Sequence, residues 1–95
     1  MTFLITWQLH EGKLHETLSR FAHMTDEQEQ AMLGDKVKLV GRWHDLIRGE
    51  GVAICEADSV EEISAYALKW NDVMDLDIAA VTDDAGARKL GKQLG

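Results

Sequence analysis

Proline is absent from this chain, and only one cysteine occurs among its 95 residues. Without proline, no rigid spacer between domains is marked. A single thiol, Cys55, excludes an internal disulfide and a multi-thiolate metal site. It lies in an apolar run and reads as a small buried hydrophobe. Positive charge is scarce as well: ten Lys and Arg against seventeen Asp and Glu leave a net charge of −7. Nucleic acid and anionic membrane both attract cationic surfaces, so neither is expected as a partner. No apolar run approaches the roughly 20 residues of a membrane helix. The N-terminus lacks a basic segment followed by an apolar stretch and a cleavage site. The expectation is a cytoplasmic protein forming one domain over residues 1–95, with 83–95 as a short C-terminal helix or tail.

Hydrophobic residues make up 45% of the chain, enough for a packed core. Thr2–Leu9 alternates as a strand, with Phe3, Ile5, Trp7 and Leu9 on one face and Thr2, Leu4, Thr6 and Gln8 on the other. His10–Met24 turns helical: Leu14, Leu18 and Phe21 form a stripe, leaving Lys13, Glu16 and Arg20 to solvent. Thr25 and Gln28 spell a capping box for a further helical piece ending at Gly34, in which the polar run DEQEQ reads as a solvated face.

Val37–His44 and Gly51–Ala57 read as two strands joined by a loop containing Gly49. Ser59, with Glu62 three residues on, starts a helix whose stripe is Val60, Ile63, Ala67 and Trp70, with Asn71 as a left-handed cap. Leu76–Thr82 gives a fourth strand. Asp83 opens a tail helix in which Ala87, Leu90 and Leu94 align and three glycines weaken the pattern.

Strand, helix, strand, strand, helix, strand is the order of the α+β, ferredoxin-like βαββαβ fold. Its helices share one face of a four-stranded antiparallel sheet. The other face is left open yet carries Leu4, Val40, Val52, Ile54 and Val81, which predicts an interface with a second copy.

The pieces ITW (Ile5–Trp7), GRWHD (Gly41–Asp45), GVAICEAD (Gly51–Asp58) and ALKWNDVMDLDI (Ala67–Ile78) resemble an uncharacterised bacterial domain-of-unknown-function family of the dimeric α/β-barrel superfamily. Similar sequences tend to have proline where Ala80 stands, and the TDEQEQAML segment is longer than usual. The resemblance implies a homodimer enclosing a barrel-like cavity, without supplying an activity. The wider superfamily holds cofactor-free oxygenases, haem enzymes, lactone isomerases and amino-acid-sensing domains, so the fold does not choose among them.

The polar residues that interrupt the hairpin strands are the candidate site. Glu56 breaks the run VAICEA, and an unpaired carboxylate is costly to bury. If His44 faces Val52, then Glu56 faces Val40, and Arg42, His44 and Glu56 share the open face beside Thr6; one residue of slip separates them. In the chosen register Trp43 and Trp7 turn toward the helices, as core, as does Trp70 on the second helix. Thr6, Arg42, His44 and Glu56 are the expected ligand-binding residues, and His44 and Glu56 the candidate bases. Against this stands the simpler reading that Glu56 merely pairs with Arg42 or Lys38.

No metal site is expected. HEGKLH at His10–His15 places its second histidine one residue too late for the HExxH pattern. No dinucleotide fingerprint, P-loop or nucleophile elbow calls for a cofactor or marks a reaction. The function this supports is a homodimeric barrel protein binding a small apolar or aromatic molecule in a cavity on the open sheet face. The alternatives are a cofactor-free proton-transfer or oxygenase-like enzyme, and a structural or sensing module with no catalytic role.

Overall fold

The computed structural model describes residues 1–95. Strand β1 (Thr2–Leu9) leads into helices α1 (Leu14–Ala22) and α2 (Asp26–Leu33). The hairpin β2 (Lys38–Asp45) and β3 (Glu50–Glu56) follows, then α3 (Val60–Ala67), β4 (Met74–Val81) and α4 (Asp84–Lys92). The sheet runs in the order β2-β3-β1-β4, and each neighbouring pair is antiparallel. This is the ferredoxin-like α+β arrangement expected from the element order.

Alternation decides which face packs. Phe3 and Ile5 pair with Cys55 and Ala53, and all four are buried under the helices together with Ile63, Tyr66 and Trp70. Their pairing partners on β4 are Ala80 and Ile78, so one side of β4 joins the same layer. The opposite face presents Thr2, Leu4 and Thr6 of β1 and Val52, Ile54 and Glu56 of β3, with no helix over it.

Trp7 lies directly across from Gly51, and a side chain there would run into the indole ring. Gly51→Ala is therefore expected to cost about 1–3 kcal/mol by overpacking, seen as a lower midpoint in denaturant. In the hairpin loop, Asp45 Oδ1 accepts from the backbone N–H groups of Ile47 and Arg48 at 3.2 and 3.1 Å. Gly49 completes the turn at φ +67°, a conformation L side chains rarely adopt.

Helix signals were legible to different degrees. The Thr25–Gln28 capping box forms in full, and Asp83 accepts from the Gly86 N–H at 2.8 Å at the start of α4. Ser59 makes no side-chain cap; Glu62 reaches back to accept from the Asp58 N–H at 3.1 Å instead. Asn71 is not a left-handed cap, because no residue other than glycine has positive φ and α3 ends through Leu68 in a right-handed turn. Helix α4 buries none of its residues and leaves Leu90 and Leu94 exposed. The molecule accordingly measures 51 × 29 × 18 Å with a radius of gyration of 15.2 Å, against about 12 Å for a compact chain of this length.

The hairpin register differs from the expected one. His44 pairs with Gly51, Trp43 with Val52 and Arg42 with Ala53, and a bulge between Leu39 and Gly41 then brings Lys38 opposite Glu56. Ala53 and Cys55 fix β3 under the helices, so β2 is the strand that turns over. Arg42 and His44 face the helices, Glu56 and Thr6 occupy the opposite face, and Trp43 stands on that opposite face at 61% exposure. The physical reason is pairing. Turned inward, Arg42 meets a carboxylate, a phenol and an aromatic ring, whereas the small residue Gly41 leaves room for the Trp43 ring on the other side.

Candidate functional site

Arg42 is the point where three helices meet the sheet. Its guanidinium pairs with the Glu29 carboxylate of α2, donates to the Tyr66 hydroxyl of α3 at 3.2 Å, and lies 4.7 Å from the centroid of the Phe21 ring of α1. The ion pair is largely withdrawn from water, with side chains 14% and 23% exposed for Arg42 and Glu29. Helical spacing explains the partner: Glu29 stands three and four residues before Met32 and Leu33, both packed against the core, so all three share the inner side of α2. The same C-terminal end of α1 is held by Arg20, which lies 4.4 Å from the Trp70 ring centroid and bonds Asp72 and the Lys69 carbonyl, both at 3.4 Å. Arg20, read from sequence as free in solvent, is therefore an exposed clamp.

Beside Arg42 a cleft opens between α1, α3 and the helix-covered face of the sheet. Its cavity volume is about 80 Å³, and hydrophobic side chains make up 12 of its 18 lining residues. Ile5, Ala53 and Leu76 form the floor, Phe21 and Leu14 one wall, and Tyr66 and Trp70 the other. His44 stands at the exposed rim, edge-on to Trp7 at 5.6 Å between ring centroids and tilted against Phe21 at 5.3 Å. Asp45 and Glu50 line the cleft at the hairpin end, with their side chains turned by strand alternation toward the uncovered face.

Two side chains in this region have shifted acidity. His44 is held below its ordinary value of 6.5, first by desolvation and then by the positive charge of Arg42, with Glu29 partly opposing. Burial pushes the Tyr66 hydroxyl up, so it stays a neutral hydrogen-bonding group beside Arg42. A depressed histidine means that the folded state prefers the neutral ring. Its contribution to stability is complete above pH 6.5 and declines as the pH falls from there toward the lower folded value. A stability-versus-pH curve of His44→Gln is expected to be flatter than that of the unmodified protein through this acidic limb.

One buried polar atom beside the cleft has no partner. Thr17 of α1 is 6% exposed, lines the cleft, and its hydroxyl makes no hydrogen bond. A buried hydroxyl without a partner costs about 1–3 kcal/mol. Thr17→Val is therefore expected to raise the stability of the empty protein by about 1 kcal/mol, measured as a higher thermal midpoint.

Of the residues expected to bind ligand, the structure brings Arg42 and His44 to one cleft and places Thr6 and Glu56 on the far side of the sheet. Thr17, Glu29 and Tyr66 were not among them. Glu29 was hidden inside a run read as solvated, and Tyr66 falls one residue before Ala67 in the α3 stripe. For Thr17, a threonine between Leu14 and Phe21 on the inner side of α1 was the available signal. No group of three His, Cys, Asp or Glu side chains is arranged to hold a metal ion.

The comparisons with known proteins bear on family and fold. The family model described as Domain of unknown function (DUF3303) matches residues 1–95. The chain belongs to this family. No curated protein matches the sequence. Among solved structures, this DUF3303 chain is similar to protein Atu4242 from Agrobacterium tumefaciens. That pair is 18% identical with a TM-score of 0.53 over 88% of this chain and 96% of the other. It is also similar to a NIPSNAP family protein, ATU5224, from the same organism, at 13% identity and a TM-score of 0.50 over 88% and 96% of the two chains. At such identities the likeness shows a shared fold, and function has to be argued from the cleft. No helix is long and apolar enough to cross a membrane.

Proposed function

We propose that this DUF3303 protein binds a small apolar or aromatic molecule in the cleft between its helices and its sheet, and does so as a homodimer of the dimeric α/β-barrel kind. The observation that carries the ligand reading is the convergence of aromatic rings from separate elements, Trp7 of β1, Phe21 of α1 and Trp70 after α3, on one open apolar space. Such a space suits a flat hydrophobic guest, because apolar burial supplies affinity without demanding polar partners. The expected site thus shifts from the open sheet face to the helix-covered one. Of the four expected ligand residues, Arg42 and His44 belong to the cleft.

The homodimer reading is supported by what the open sheet face presents. Trp43, Val40 and Val81 are exposed there, beside half-buried Leu4, Val52 and Ile54. A surface this apolar on an uncovered sheet fits a self-complementary partner. The exposed stripe of α4 adds a second apolar element for the same partner.

Proton transfer from the bound molecule is a second reading, favoured by one observation: His44 stands at the cleft rim with its pKa lowered, so its ring is a neutral base at physiological pH. Glu56, the other candidate base, lies across the sheet and cannot act on a guest in this cleft. Calorimetric titration with naphthalene tests the leading proposal. Saturable binding with one guest per chain is expected, together with loss of binding in Leu14→Trp, where a larger side chain fills the wall. A titration with no saturable heat would overturn the reading.

A further inference from the structure

Charge is segregated along this chain. All seventeen acidic residues precede Ala85, while three of the ten basic ones, Arg88, Lys89 and Lys92, follow it on α4. None of these three makes an ion pair, and α4 buries none of its residues. A nine-residue helix containing two glycines is poorly able to hold itself in water, where isolated helices shorter than about 12 residues are marginal. Its apolar side, Ala87 and Leu90 continued by Leu94, is uncovered, with the two leucines 57% and 89% exposed.

The uncovered sheet face carries the opposite charge, at the end away from α4. Asp75 and Asp77 of β4 stand beside Gln8 and Thr6, and Glu50 and Asp45 extend the acidic end across β3 and β2. Asp75 meets His10 at 3.0 Å, whereas Glu50 and Asp77 have no ion-pair partner. Lys38, the cation on this face, sits opposite Glu56 at the other end. Next to the acidic end the face turns apolar at Val52 and Trp43. Four strands make that end roughly 14 Å wide, and nine helical residues extend about 14 Å.

We infer that α4 is an exchanged arm of the homodimer proposed above, each copy laying it across the acidic hairpin end of the partner's uncovered sheet face. The inference rests on that dimer reading and adds the orientation of the two copies. They meet with strand ends reversed, so each arm reaches an acidic end that its own chain keeps about 20 Å beyond Val81. Ala87 and Leu90 rest on the partner's Val52 and Trp43. Arg88 and Lys89, which flank that stripe, reach the partner's carboxylates along flexible stems. Copies stacked with like ends together would instead set carboxylates against carboxylates.

Two variants and their mixture test this by sedimentation across a concentration series at low salt. Arg88→Glu/Lys89→Glu/Lys92→Glu reverses the arm and Asp75→Lys/Asp77→Lys reverses the face; all five side chains are exposed, so far-UV ellipticity is expected to persist. Exposed charge pairs are individually weak, but several act together on each of two arms. Each variant alone is expected to dimerise at least tenfold more weakly than the unmodified chain. The equimolar mixture matches each arm with an oppositely charged face and is expected to recover most of that loss as mixed dimers. Variants that dimerise as tightly as the unmodified chain would overturn the inference and leave the dimer standing. A loss that the mixture fails to restore would overturn it too, because an α4 bound to its own sheet or to another partner gains nothing from mixing. A monomeric unmodified chain at micromolar concentration would end the dimer reading and the inference with it.

Discussion

Glu29→Ala is expected to lower folding stability by about 3 kcal/mol, because it strands the Arg42 guanidinium under three helices without its counter-charge. Set against the roughly 5–15 kcal/mol that holds typical domains together, such a loss takes a large part of the total. For a chain of this size it corresponds to a fall of roughly 12–24 °C in the thermal midpoint. The cost comes from an unpaired buried charge more than from a lost attraction. Replacing both partners by methionine, which leaves nothing charged, is therefore expected to recover most of the loss. Arg42→Met alone is expected to fall between the two, since it strands Glu29, which is somewhat better solvated. Denaturant titration of Glu29→Met, Arg42→Met and the double methionine variant closes the cycle. Independent losses that simply add in the double variant would show that Arg42 and Glu29 do not act as a pair.

Trp43→Asp is expected to separate the proposed homodimer while sparing the fold. Trp43 sits on the uncovered face at 61% exposure and shares it with Val52, its cross-strand partner, and with Ile54. Central tryptophans at interfaces commonly carry about 2–4 kcal/mol, so the dimer is expected to weaken by roughly 30- to 1,000-fold. The helix-covered core lies on the other side of the sheet, so far-UV ellipticity is expected to be preserved. Sedimentation across a concentration series reads this as a shift from dimer to monomer. A monomeric mass for the unmodified chain at micromolar concentration would contradict the dimer.

Much of the fold was legible because its signals are local. Strand β1 follows from the alternation of Phe3, Ile5, Trp7 and Leu9, and α2 begins where Thr25 and Gln28 say it does. The β2–β3 register was not legible, because strict alternation has no place for an extra residue, and the bulge at Val40 inserts one. Nothing in KLVGRWHD marks that bulge except Gly41, whose missing side chain leaves space for the Trp43 ring. The candidate site inherited the error. Arg42 and His44 were rightly drawn together, but on the wrong side of the sheet, and Glu56 was drawn to them because a carboxylate was wanted. The carboxylate that arrives is Glu29, from a helix more than ten residues upstream, and strand reasoning alone cannot reach it.

The placement of the cleft is tested most directly by backbone and methyl chemical-shift mapping of the isotope-labelled protein as naphthalene is added. The largest shifts are predicted at Ile5, Leu14, Thr17, Phe21, His44 and Ala53, which line the space between helices and sheet. Shifts concentrated instead at Leu4, Thr6, Ile54 and Glu56, on the uncovered face, would contradict the account.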